Sequence, residues 1–199
     1  MLGYYCRSLG NIIFRGLTLC MANLEIQPWM MNLCAFISAV ISGYFFSTRK
    51  ILPALLVFIP NQWFDYMDGG VYRSRISLGM PVSQYRKLLH ILSDKLSEIA
   101  IFLGIIIGKF THWKLGLLAM TTSLVITLLG RWVYYKGLFD LKHSIFDRTD
   151  RFAILAIFCA LGHFQLALIL SSSMDIVGII QRLCISIRNH LKKNSASMA

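Results

Sequence analysis

The chain has 199 residues, 56% of them hydrophobic and only 15% charged. A water-soluble domain of that composition would expose large apolar patches and aggregate, so an all-α, polytopic membrane protein is expected. The formal net charge of +11 comes with no motif for nucleic acid, and basic loops facing anionic membrane lipids account for it.

Residues 1–27 carry Arg7, Arg15 and Glu25 among short apolar clusters. Ile12, Ile13, Phe14, Leu17 and Leu19 alternate with polar groups, which predicts an interfacial amphipathic helix and not a cleavable signal; a loosely ordered arm is the alternative. Six spans are then expected: Trp29–Phe46, Ile51–Phe64 with a kink at Pro60, Leu88–Ile107, Leu115–Tyr135, Arg151–Gly162 and Phe164–Ile185. The last two could instead be one span over Phe152–Leu170 followed by an amphipathic tail. The domains so read are an interfacial segment, 1–27, a six-helix transmembrane domain, 28–187, and a basic cytosolic tail, 188–199.

Charge counting decides between these layouts. Six spans place 16 Lys and Arg residues on the side of both termini and leave 4 (Arg49, Lys50, Lys109 and Lys114) on the other. The richer side is the cytosolic one, and a bacterial inner membrane is the expected setting; five spans would put the basic tail outside. Cys6, Cys20, Cys34, Cys159 and Cys184 form no C-x-x-C pair, and buried free thiols are expected.

The nine acids are Glu25, Asp65, Asp68, Asp94, Glu98, Asp140, Asp147, Asp150 and Asp175, and the outer loops hold none. Asp65 and Asp68, three apart, share a helix face at the cytosolic end of the second span. His90 and Asp94, then Asp94 and Glu98, are four apart within an otherwise apolar helix. Ionisable groups at membrane depth are costly and are kept where they bind something. Clustered carboxylates suit a hard divalent cation, Mg2+ or Mn2+; interfacial acids paired with nearby arginines are the alternative. Asp175 reads as facing the bundle or the membrane edge.

Phe64-Asp65-Tyr66-Met67-Asp68-Gly69-Gly70-Val71-Tyr72-Arg73 resembles the opening of the CDP-alcohol phosphatidyltransferase signature, D-x-x-D-G-x-x-A-R, which continues G-x-x-x-D-x-x-x-D. Arg86 to Asp94 is similar to that second half. Tyr72 stands for the alanine, Arg86 for the glycine and His90 for the third aspartate, and twelve residues separate Arg73 from Arg86 where the family has eight. A second register puts Asp94 and Glu98 in the last two acidic positions. The resemblance implies two Mg2+ (or Mn2+) ions held by Asp65, Asp68 and Asp94, with His90 or Glu98 completing the set, and Asp68, Gly69 and Arg73 binding the CDP group of CDP-diacylglycerol. It implies Asp94 as the general base (Glu98 in the second register), CMP release, and a homodimer.

Arg131 to Gly137 and Asp147-Arg148-Thr149-Asp150-Arg151 are similar to stretches of the subgroup that uses inositol phosphate. The resemblance implies that Lys136, Arg148 and Arg151 bind the phosphate of a polyol acceptor, inositol phosphate or glycerol 3-phosphate. The alternative keeps these arginines at a span mouth, held by Asp147 and Asp150. Two rivals remain: a family member binding lipid or a partner without turnover, and a small transporter, for which the sequence shows no internal repeat.

Overall fold

A computed structural model describes residues 14–136 and 148–196. The described residues form seven helices and no strand: α1 (14–23), α2 (Pro28–Ser47), α3 (Ile51–Ser77), α4 (Arg86–Ile107), α5 (Trp113–Tyr135), α6 (Arg148–Ala160) and α7 (Phe164–Ala196). The all-α expectation holds. Among the described residues, three stretches are long and apolar enough to cross a membrane: Pro28–Ser47, Trp113–Val133 and Phe164–Asn189. Large apolar side chains such as Leu33, Leu52, Leu128 and Ile180 lie exposed, as expected where the solvent is lipid.

Two helix ends differ from the sequence reading. The helix expected to end at Phe64 continues through Asp65, Asp68 and the Gly69-Gly70 pair to Ser77, because charge does not stop a helix and no proline intervenes. Gly79, at φ +69, ends it: its N–H bonds to Ile76 O at 3.0 Å and that of Met80 to Arg75 O at 2.9 Å, a glycine C-cap in the left-handed conformation. Gly162, at φ +78, uses the same device between α6 and α7, so Phe152–Leu170 is two helices, as the six-span layout expects and the single-span alternative does not. The other is α7, which runs to Ala196, through the segment expected as a tail. The described cysteines are free, but Cys20 and Cys184 are exposed and Cys34 is half-buried, leaving only Cys159 buried as expected.

Contacts divide the chain into two units, one ending at Trp113 and one beginning at Lys114. In the first, α2 packs against both α3 and α4. Small residues set the α2–α4 approach: a Cβ on Gly104 would strike the backbone of Gly43, and one on Gly43 the carbonyl of Ala100. Buried Asn61 donates to Ala35 O at 2.6 Å and Ser42 to Ala54 O at 2.9 Å, tying α3 to α2. Gly70 lets Thr18 of α1 lie against α3, and Phe14 reaches the rings of Trp63 and Tyr66. Buried Arg75 donates to Pro81 O and Ile26 O, so it holds two loops and does not serve as a surface charge. In the second unit, α6 packs on α7.

Candidate functional site

Two charged stripes line adjoining surfaces of the first unit. On α3, Asp65, Asp68 and Tyr72 follow i, i+3, i+7 spacing; on α4, Arg86, His90 and Asp94 follow i, i+4, i+8. Each set therefore shares a helix face. Because α2 holds both helices, the stripes meet through their side chains. His90 is the hub: Nδ1 lies 3.7 Å from Asp65 Oδ1 and 3.4 Å from Asp68 Oδ2, and Nε2 lies 3.7 Å from Asp94 Oδ2. The chain thus closes the long gap between the two half-motifs.

Asp65, His90 and Asp94 each offer one donor atom, all within 4.8 Å of one another. Hydrogen bonds between such groups are shorter, near 2.7–2.9 Å. Metal–oxygen distances of about 2.1 Å place neighbouring donors roughly 3 Å apart and opposite ones about 4 Å apart. The residues present therefore fit a divalent cation of the Mg2+ or Mn2+ kind.

Asp68 differs from its neighbours. Its side chain is 1% exposed and takes a fork from Arg86, Nε to Oδ1 at 3.2 Å and Nη2 to Oδ2 at 3.0 Å. The same guanidinium lies over the Tyr72 ring, 3.9 Å from its centroid. Glu98, a turn beyond Asp94, is buried and bound by Lys95, outside the three-donor group.

Asn32 of α2 gave no signal in the sequence reading. It is buried, its Oδ1 lies 3.3 Å from His90 Nδ1, and its carbonyl accepts from Ser93 Oγ at 2.6 Å. Its Nδ2 has no hydrogen-bond partner among the described residues. A lone amide within an apolar span is the clue that could have found it.

Arg73 lies five positions beyond Asp68, so it projects about 140° further round α3. It is exposed and lines a cavity of about 260 Å³ between α1 and α3 with Arg15, Thr18, Tyr66, Gly70 and Ser74. Gly69 is adjacent, since a Cβ there would meet Arg73 Nη1 at 3.4 Å. Gly69 and Arg73 thus belong together, while Asp68 turns towards α4.

Among the residues expected to hold an acceptor phosphate, Lys136 is exposed at the end of α5 and Arg148 begins α6. Arg151 is buried, with Nη1 2.7 Å from Asp175 Oδ1 and 2.9 Å from Ser123 Oγ. Arg151 is thus paired with α7, a partner that the local pairing expected with Asp147 and Asp150 did not include. Asp147 lies outside the described residues. Asp175 is fully buried, which favours the bundle over the membrane edge among its two expected positions.

Comparison with known proteins shows the family and the fold. The family model for CDP-alcohol phosphatidyltransferase matches residues 26–184. Archaetidylinositol phosphate synthase of Pyrococcus horikoshii is 22% identical over 162 residues, 81% of this chain and 84% of that one. A crystal structure of phosphatidylinositol phosphate synthase from Mycobacterium tuberculosis with CDP-DAG bound superimposes with a TM-score of 0.74 at 18% identity, covering 87% of this chain and 93% of that one. The same protein in complex with manganese and citrate gives 0.73 at 18%, covering 86% and 87%. These two likenesses establish the fold.

Proposed function

Since the chain belongs to the CDP-alcohol phosphatidyltransferase family, we propose that it moves a phosphatidyl group from CDP-diacylglycerol to a phosphorylated polyol and releases CMP. Inositol phosphate and glycerol 3-phosphate are the acceptors its basic residues suit. The observation that carries this reading is the convergence of Asp65, His90 and Asp94 beside the D-x-x-D-G motif on α3. It is strengthened by relatives whose names describe inositol phosphate lipid synthesis and by the CDP-DAG and manganese complexes of one of them.

In this reading, Asp65, His90 and Asp94 would hold a divalent cation, which would offset charge on the diphosphate. Asp94, 16% exposed at its side chain, takes the proton from the acceptor hydroxyl. The hydroxyl oxygen bonds to the lipid-linked phosphorus as the bond to CMP breaks, and CMP carries away the electron pair. Gly69 lets the nucleotide approach the α3 backbone, and Arg73 beside it forks onto phosphate. Lys136, Arg148 and Arg151 draw the acceptor's phosphate, with Arg151 braced by Asp175.

The helices α2–α7 are the six spans, and the site opens to the cytosol; α1 belongs to the interfacial segment. At about 40 Å, the 27 residues of α3 outreach a hydrocarbon core of roughly 30 Å. Asp65 and Asp68 can then sit where the lipid's head group meets soluble substrate.

The test supplies purified full-length chain with CDP-diacylglycerol, Mg2+ or Mn2+, and each acceptor in turn, and follows CMP. Release with one of these acceptors is expected, with Asp94→Asn slowing it about 10²–10⁴-fold. Folded protein that releases no CMP with any acceptor would reject turnover and favour a lipid-binding member of the family, the reading that Arg86 on Asp68 supports.

A further inference from the structure

Three departures from the family pattern, Tyr72 on α3 and Arg86 and His90 on α4, converge about one carboxylate. Arg86 forks onto both oxygens of Asp68. Tyr72 lies under the Arg86 guanidinium, and His90 Nδ1 stands 3.4 Å from Asp68 Oδ2. The substitutions are chemically linked. Alanine at 72 would give the guanidinium no ring to lie on, and glycine at 86 would leave Asp68 without its fork.

We propose that Arg86 is a tethered cation that takes the place of a second metal ion, so that this site binds one divalent ion, at Asp65, His90 and Asp94. The donor geometry supports it. Asp68, 1% exposed with both oxygens engaged by Arg86, is absent from the group whose donor atoms converge within 4.8 Å. The charge supports it too. A four-aspartate pattern carries four negative charges, which two divalent ions neutralise. Here His90 binds metal as a neutral ligand and Arg86 keeps its positive charge at any accessible pH. Three carboxylates and one guanidinium leave two negative charges, which one divalent ion neutralises. A second ion would have to displace a forked, stacked guanidinium and carry its two positive charges beside it. A nitrogen donor among the three ligands also shifts preference from Mg2+ towards Mn2+, since imidazole is a softer ligand than carboxylate or water.

The inference rests on reading Asp65, His90 and Asp94 as the metal site, and it is tested without turnover. Full-length chain in detergent is titrated with Mn2+, and the bound ion is counted by calorimetry and by electron paramagnetic resonance. The expected result is one ion per chain with no manganese–manganese coupling, tighter binding of Mn2+ than of Mg2+, and a second ion in Tyr72→Ala/Arg86→Gly. Arg86→Lys, which keeps a charge at the position, should stay at one. Two ions or none in the natural chain overturn the proposal, as does a folded double variant that still binds only one. The natural chain decides the matter alone if the double variant does not fold. CMP release is scored separately: release with two bound ions rejects the tethered cation and keeps the proposed function, whereas one bound ion without release with any acceptor does the reverse.

Discussion

Asn32 shows how a residue can shape the chemistry without joining it. Its amide oxygen faces His90 Nδ1 at 3.3 Å while its backbone carbonyl holds Ser93. The ring is thereby steadied from α2 while its other nitrogen faces Asp94. Removing a group that orients a metal-binding histidine typically weakens metal affinity about 10–100-fold. Asn32→Ala should therefore bind Mn2+ that much more weakly in a direct titration with its fold intact; unchanged affinity would show that Asn32 does not orient His90. The carboxylates were legible in the sequence because i, i+3 and i, i+4 spacing on a helix is a local rule. Asn32 was not, because its role arises only when α2 comes to lie against α4. The Arg86 fork was hidden for the same reason: the partners are 18 positions apart, and no period links them.

At the scale of helices, the placement of α4 depends on how closely it approaches α2. Gly43 and Gly104 meet backbone to backbone, and His90 and Asp94 ride on the same helix as Gly104. Gly104→Val would place a branched side chain where the Gly43 backbone lies, and the helices would have to part. Overpacking of this kind typically costs about 1–3 kcal/mol. The variant should unfold at lower temperature in detergent and lose Mn2+ affinity together with stability, whereas valine at Gly16, where nothing lies within 4 Å of an added Cβ, should leave metal binding unchanged. Equal stability of Gly104→Val and the natural chain would remove the close approach as the feature that positions α4. Helix identity was readable from long apolar runs, but helix ends were not. The second helix was expected to stop where the apolar run stops, at Phe64, yet the backbone stops at Gly79, where a residue tolerating positive φ is available.

For the whole molecule, the arrangement of charge about the membrane makes the strongest demand. Three stretches qualify as spans by length and composition alone. Helix α4 falls short because it carries Arg86, Lys87, His90, Asp94, Lys95 and Glu98, groups that a single-helix apolarity rule penalises. All but Lys87, which is exposed, are matched inside the protein: Lys95 binds Glu98, Arg86 binds Asp68, and His90 stands among Asp65, Asp68 and Asp94. Pairing lowers the cost of bringing such groups to the membrane, so α3 and α4 can be spans although their sequences are not uniformly apolar. Six spans put 16 basic residues on one side and 4 on the other, and basic loops are retained in the cytosol. A reporter active only in the cytosol should therefore work when fused after Ala199 and fail when inserted in the turn between α4 and α5. A reporter active only outside should do the opposite at both positions. Cytosolic activity at that turn, or external activity at the C-terminus, would reject six spans and with them a site facing the cytosolic pool of phosphorylated polyols.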